Sequence, residues 1–123
     1  MRYVDGYVLA VPKKNIKAYK KMAVTGGKIW KKHGALGYVE SVADDLDSVK
    51  KWGGFPFAEA MKLKKGETVI FAYIVYKSRK HRDLVNAKVH RDPFMSQPKY
   101  KDLPMPFEMK RMAYGGFEMI VDA

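Results

Sequence analysis

The chain contains no cysteine. That excludes a disulfide framework and thiolate chemistry, and it fits a reducing compartment. Arginine is scarce, limited to Arg2, Arg79, Arg82, Arg91 and Arg111. Nucleic-acid surfaces rely on arginine for bidentate contacts, so the formal charge of +11, carried mostly by lysine, reads as solvated surface. Nucleic acid is therefore not an expected partner. His33, His81 and His90 do not stand at chelating spacing with one another or with a carboxylate, so no metal is expected. No long hydrophobic run exists. The longest, Val69 to Tyr76, is far too short for a bilayer. The opening Met1-Arg-Tyr-Val-Asp5 lacks the apolar stretch of a signal peptide. A soluble, cytoplasmic protein without a membrane partner is expected. Nucleophile elbow, phosphate-binding glycine fingerprint, internal repeat and low-complexity tract are all missing.

What is present reads as one folded domain over residues 1–123, with 47% hydrophobic residues and clear periodicities. Residues 2–11 alternate as a strand that Pro12 ends. Tyr3, Asp5, Tyr7, Leu9 and Val11 share one face, and Val4, Gly6, Val8 and Ala10 the other. Asn15 is an expected N-cap for a helix over 16–33, with an apolar stripe of Ile16, Tyr19, Ala23, Gly26 and Trp30. Gly34 should stop it, and Gly26-Gly27 should allow close approach to a strand. Residues 36–43 form a second strand. A long connection follows, with an acidic cluster (Asp44, Asp45, Asp47) that reads as a solvated turn and a short helix near Phe57–Leu63.

Residues 67–76 form a third strand, apolar on both faces, which must be covered twice. Ser78 should cap a helix over 79–91, stopped by Asp92-Pro93. A proline-punctuated segment over 93–110 is long enough to cross a surface or clasp a partner. The last strand spans 111–121, and Gly115-Gly116 suggests a bulge in it. The order strand, helix, strand, strand, helix, strand is the ferredoxin-like βαββαβ plan, α+β in class. It predicts a four-stranded antiparallel sheet with the first and third strands central and two helices on one face. The helix-free face, bearing Phe71, Tyr73 and Val75, should then be covered by a second copy in a homodimer.

Three segments carry a resemblance: Tyr3-Val-Asp-Gly-Tyr-Val-Leu-Ala-Val-Pro12, Glu67-Thr-Val-Ile-Phe-Ala-Tyr-Ile74 and Met105-Pro-Phe-Glu-Met-Lys-Arg-Met-Ala-Tyr-Gly-Gly-Phe-Glu118. With Asp92-Pro93 they resemble the YbaA-like family of uncharacterised bacterial proteins. The resemblance implies membership of the dimeric α/β-barrel superfamily, with two ferredoxin-like sheets face to face. Relatives there include cofactor-free monooxygenases, haem-degrading enzymes, isomerases and ligand sensors. It implies no assigned reaction and no cofactor.

The candidate site is a polar set on the strands. Asp5 and Glu40 are candidate catalytic carboxylates, because burial can turn a carboxylate into a general base. Tyr3, Tyr7, Tyr73, Arg111 and Tyr114 are candidate ligand-binding residues. Alternation alone leaves open which face is inward. The bland alternative pairs Asp5 with Arg111 and lets the tyrosines pack. His90 on its helix could hold haem, but an exposed helix histidine is the preferred reading. The functional expectation is a small aromatic or carbonyl ligand in a barrel pocket, with a cofactor-independent oxygenase or isomerase activity. The alternative is a non-catalytic ligand-binding or protein-interaction module.

Overall fold

The computed structural model describes residues 1–96 and 105–123. Its elements are β1 (Tyr3–Pro12), α1 (Ile16–Lys32), β2 (Gly37–Val42), α2 (Phe57–Ala60), β3 (Glu67–Tyr76), α3 (Arg79–His90) and β4 (Met112–Glu118). One antiparallel sheet runs in the order β2-β3-β1-β4. The two most apolar strands are central, as expected. A central strand has neighbours on both edges and must bury its side chains without help from solvent.

The alternation resolves into two faces. Tyr3, Asp5, Tyr7, Leu9 and Val11 of β1 lie level with Ile70, Ala72, Ile74 and Tyr76 of β3. This face meets the helices. Ile29 of α1 and Val85 and Val89 of α3 pack with Tyr3, Ile74 and Tyr76 at one end. Tyr19 of α1 packs with Leu9, Val11, Ile70 and Ala72 at the other. The opposite face carries Val4, Val8, Val39, Phe71, Tyr73 and Phe117. Phe71 is 45% exposed and Phe117 53%. Val4, Val8 and Tyr73 are half-buried, and Ala10, Val69 and Val75 of the same face are buried, so the exposed part is the patch of Val39, Phe71 and Phe117.

Local chemistry explains the element ends. Ser78 caps α3, its Oγ accepting from the His81 amide at 3.1 Å. Gly34 takes φ +111° just beyond α1, where a side chain would be strained. Gly26 and Gly27 lie under the Tyr38 ring of β2. A Cβ on Gly27 would sit 3.0 Å from that ring, so glycine is what lets helix and strand approach. Asp92 stops α3 and also ties the helix ends together. Its carboxylate accepts from His33 at 2.6 Å, Lys32 at 3.1 Å and the Phe94 amide at 2.8 Å.

Three expectations change. Asn15 does not cap α1; its Nδ2 donates instead to the Pro106 carbonyl at 3.0 Å. No bulge occurs at Gly115-Gly116, because β1 and β4 keep one register from Tyr3↔Glu118 to Leu9↔Met112. Glycine is needed at 116 for space. A Cβ there would run into the Tyr3 ring, whose Cζ and Cε2 would be 2.9 Å away. The last strand is also shorter than expected, with Arg111 in the 3-10 turn before it. Of the proline-rich segment, Pro98 and Pro104 lie outside the described residues.

Candidate functional site

Asp5 lies on the helix-side face near the start of β1 and is fully buried. Its partner is Arg82, on the first turn of α3. Arg82 Nη1 donates to Asp5 Oδ1 at 2.8 Å and to the Tyr114 hydroxyl at 2.9 Å. Its Nε donates to Asp83 at 2.7 Å, and the guanidinium lies over the Tyr3 ring at 5.0 Å. The other Asp5 oxygen, Oδ2, is buried without a hydrogen-bond partner. Leaving a buried acceptor unmade costs about 1–3 kcal/mol, more when it is charged, so such an atom calls for a reason.

Burial drives the Asp5 carboxyl above its ordinary value, against the opposing pull of Arg82, Tyr114 and Tyr76. Burial likewise opposes the Arg82 charge. The bond to Asp83 and the field of Asp5 outweigh it and hold the guanidinium above its ordinary value. Tyr7 is the next residue on this face of β1, and its ring lies 4.9 Å from that of Tyr114. Burial, then the charge of Asp5, pushes its phenol up. Tyr114 is half exposed, so this end of the face opens to solvent.

Glu40 forms a second centre. Its two oxygens accept from Tyr19 and, at 2.8 Å, from Tyr38. Both phenols are pushed up, first by burial and then by the carboxylate. Glu40 pairs with Ala72, and Ala72 with Tyr7, so Glu40 and Tyr7 flank one small side chain across the sheet. Glu40 and Asp5 stand two strands apart and offset by two residues. Their Cα atoms are therefore about 12 Å apart by sheet spacing, too far for the carboxyls to behave as a proton-sharing dyad. A third shell lies behind: Trp30 Nε1 and the Tyr76 hydroxyl both donate to Asn86 Oδ1, at 3.1 and 3.3 Å.

The expected residues thus divide. The face brings together Tyr3, Asp5, Tyr7, Glu40 and Tyr114. Tyr73 pairs with Gly6 and lies on the opposite, helix-free face. Arg111 reaches Glu67 and the carbonyls of Met61 and Lys62, at 3.2 and 3.0 Å. Five strand positions separate Arg111 from Gly116, which pairs with Asp5, a distance of about 16 Å. Asp5 pairs with Arg82, not Arg111. Arg82 escaped the sequence reading because an arginine on a charged helix looks like solvated surface. Its one signal was position: four residues after a cap, at the spacing that turns Arg82, Val85 and Val89 to one side.

Two surface hollows of about 320 and 300 Å³ lie elsewhere. One is lined by Thr25, Lys28, Lys32 and Asp92, the other by Met61, Lys110 and Arg111. Neither reaches Asp5 or Glu40. Among the described residues no group of His, Asp or Glu is placed to hold a metal. Nor is any helix there long and apolar enough to cross a membrane.

Comparison with known proteins places the chain. The profile described as "Protein of unknown function (DUF1428)" matches residues 2–109. The chain is 42% identical over 124 residues to "Uncharacterized protein YbaA" of Escherichia coli (strain K12), covering 99% of each. It is equally similar to the protein of that description in Shigella flexneri. Among solved structures, "De novo designed protein Foldit4" overlays with a TM-score of 0.45 at 8% identity, covering 97% of this chain and 99% of that one. On the family match and the full-length identity, the chain belongs to the DUF1428, YbaA-like family of proteins of unknown function.

Proposed function

We propose that this protein binds a small aromatic or carbonyl compound beside Asp5 and moves a proton on it, without a cofactor. One observation carries the reading. Asp5 is fully buried, held by Arg82 on one oxygen, and left without a partner on the other. A carboxylate in that setting is a stronger base than usual, and the free oxygen is the atom that can accept a proton. In an isomerase step, a C–H bond next to a carbonyl breaks and its proton passes to Asp5. The electron pair moves into a C=C bond, and the carbonyl oxygen takes the negative charge beside Arg82 and Tyr114. Return of the proton to another atom completes the isomerisation with no co-reactant. An oxygenase would start with the same abstraction and then consume dioxygen.

The reading includes a homodimer. The βαββαβ plan leaves Val39, Phe71 and Phe117 exposed, and a second copy packed on that face would remove the patch. Two such sheets face to face would make a dimeric α/β barrel, with each acid/base centre between a sheet and its own helices.

A second reading has one observation in its favour. The two hollows described above miss Asp5 and Glu40, as expected of a non-catalytic binding or interaction module. The deciding experiment is native mass spectrometry of freshly purified protein, followed by a thermal-shift screen of aromatic acids, ketones and quinones. A bound small molecule whose turnover disappears in folded Asp5→Asn supports the acid/base site. Binding that leaves the compound unchanged in both proteins supports the module.

A further inference from the structure

Arg82 is under-used by the contacts around it. Nη1 serves Asp5 and Tyr114, and Nε serves Asp83. The two N–H groups of Nη2 make no hydrogen bond among the described residues. The side chain is only 13% exposed, and Nη2 is not among its buried atoms, so these donors form the edge of the guanidinium that solvent still reaches. Guanidinium donors with no protein partner at a reachable edge are open to a ligand, and a planar acceptor would match them. The guanidinium plane is fixed by the Tyr3 ring beneath it and the Asp5 bond at its edge. It is a preorganised fork, and forks match carboxylates.

We infer that Arg82, helped by the Tyr114 hydroxyl, anchors a carboxylate on the ligand, which narrows the substrate class to small aromatic or keto acids that are anions at neutral pH. This rests on the acid/base reading of the same site and adds to it the charge of the substrate. Three features agree. The neighbouring Tyr7 and Tyr114 rings, 4.9 Å apart, offer an apolar wall for an aromatic or unsaturated body. Asp83, the other acid on Arg82, is taken up by Nε and leaves the Nη2 edge of the fork open. The chain's surplus of +11 draws anions toward its surface. A dianionic phosphate fits less well, because Asp5 stands on the same guanidinium. A monoanion meets less repulsion.

The test is calorimetric titration of the full chain with two matched pairs of probes: benzoate against benzamide, and phenylpyruvate against phenylacetone. The acid should bind about tenfold or more tightly than its neutral partner, the value of a charged hydrogen bond or two. Arg82→Lys keeps the charge but loses the fork, and should erase most of that preference. Tyr114→Phe leaves the Arg82–Asp5 pair intact and should weaken the acids several-fold with little effect on the neutral probes. It serves as the reporter if the lysine variant fails to fold. Asp5→Asn should keep or improve acid binding, because it removes a negative charge next to the anchor. Equal binding of acid and amide, or an acid preference that survives both Arg82→Lys and Tyr114→Phe, overturns the anchor. In that case turnover lost in Asp5→Asn would still leave the acid/base reading standing. If no probe of either charge binds at millimolar concentration, both fall together.

Discussion

Arg82 Nη1 bonds Asp5 Oδ1 at 2.8 Å, joining the first turn of α3 to the beginning of β1 across 77 residues of sequence. Asp5 is fully buried and the arginine side chain nearly so. Removing one partner of such a pair leaves an uncompensated charge in the interior, which costs about 3–5 kcal/mol, whereas replacing both with apolar groups costs far less. Arg82→Met should therefore destabilise strongly, and Asp5→Leu in the same chain should restore much of the loss. Urea unfolding of wild type, both single variants and the double variant reads the coupling directly. Additive losses would show that the pair is not an energetic unit.

Two carboxylates should give opposite pH signatures. Asp92, bonded to His33, the Phe94 amide and Lys32, has its pKa lowered to about 2. Its contribution is present above the ordinary value of 3.8 and is lost as pH falls through about 2. Asp5 has a raised pKa, so its contribution is present below 3.8 and is lost as pH rises through the folded value. Relative to Asp92→Asn, wild type should lose stability on acidification. Relative to Asp5→Asn, it should lose stability on moving toward neutral pH. Unfolding midpoints across an acid series check both, and parallel curves for wild type and either variant would count against that assignment.

Glu40 receives hydroxyls from Tyr19 and Tyr38, and its charge adds to burial in pushing both phenols up. Glu40→Gln removes the charge and keeps the shape. Tyrosine ionisation followed by ultraviolet absorbance should then begin at lower pH than in wild type. An unchanged titration would mean that burial alone holds these phenols neutral.

Gly116→Ala should destabilise, because the added methyl runs into the Tyr3 ring. Overpacking of this kind costs about 1–3 kcal/mol. In a Tyr3→Ala background the penalty should vanish, even though that change lowers stability by itself. A penalty that persists there would place the strain in the backbone.

Phe71→Lys puts a charge on the helix-free face without touching the buried side. Light scattering should give twice the chain mass for wild type and the single-chain mass for the variant, with circular dichroism unchanged. A wild-type monomer at micromolar concentration would remove the dimer from the proposal.

The strands and helices were legible because period-two and period-3.6 patterns run the full length of β1, β3, α1 and α3. The Gly26-Gly27 approach was legible because two glycines inside a helix need a packing reason, and Tyr38 supplies it. The site was legible only in part. Alternation placed Tyr3, Asp5 and Tyr7 together, but said nothing of which side the helices would take. That is decided by crossover handedness and by partners such as Ile29 and Val85. Gly116 looked like a bulge because glycine in a strand signals either a register change or a close neighbour, and the neighbour, Tyr3, is distant in sequence. Tyr73 and Tyr7 are chemically alike, and only the pairing of Gly6 with Tyr73 separates their faces. Ion-pair partners were beyond reach, since Asp5 could have met any of the arginines.

The Tyr38 ring wedged against Gly26 and Gly27 has a consequence for traffic. On the β2 side the helix and the sheet are in direct contact, with no side chain on the glycines that could swing aside to open a path. On the β4 side stands Tyr114, a half-exposed ring that takes a hydrogen bond from Arg82 and lies against the Tyr7 ring. On the proposed reading, the approach to Asp5 that the described residues leave is over β4, where the first group met is the Tyr114 phenol. Entry and release would share that route. The seam at α1 would serve as the fixed side, and the start of α3 as the side that gives.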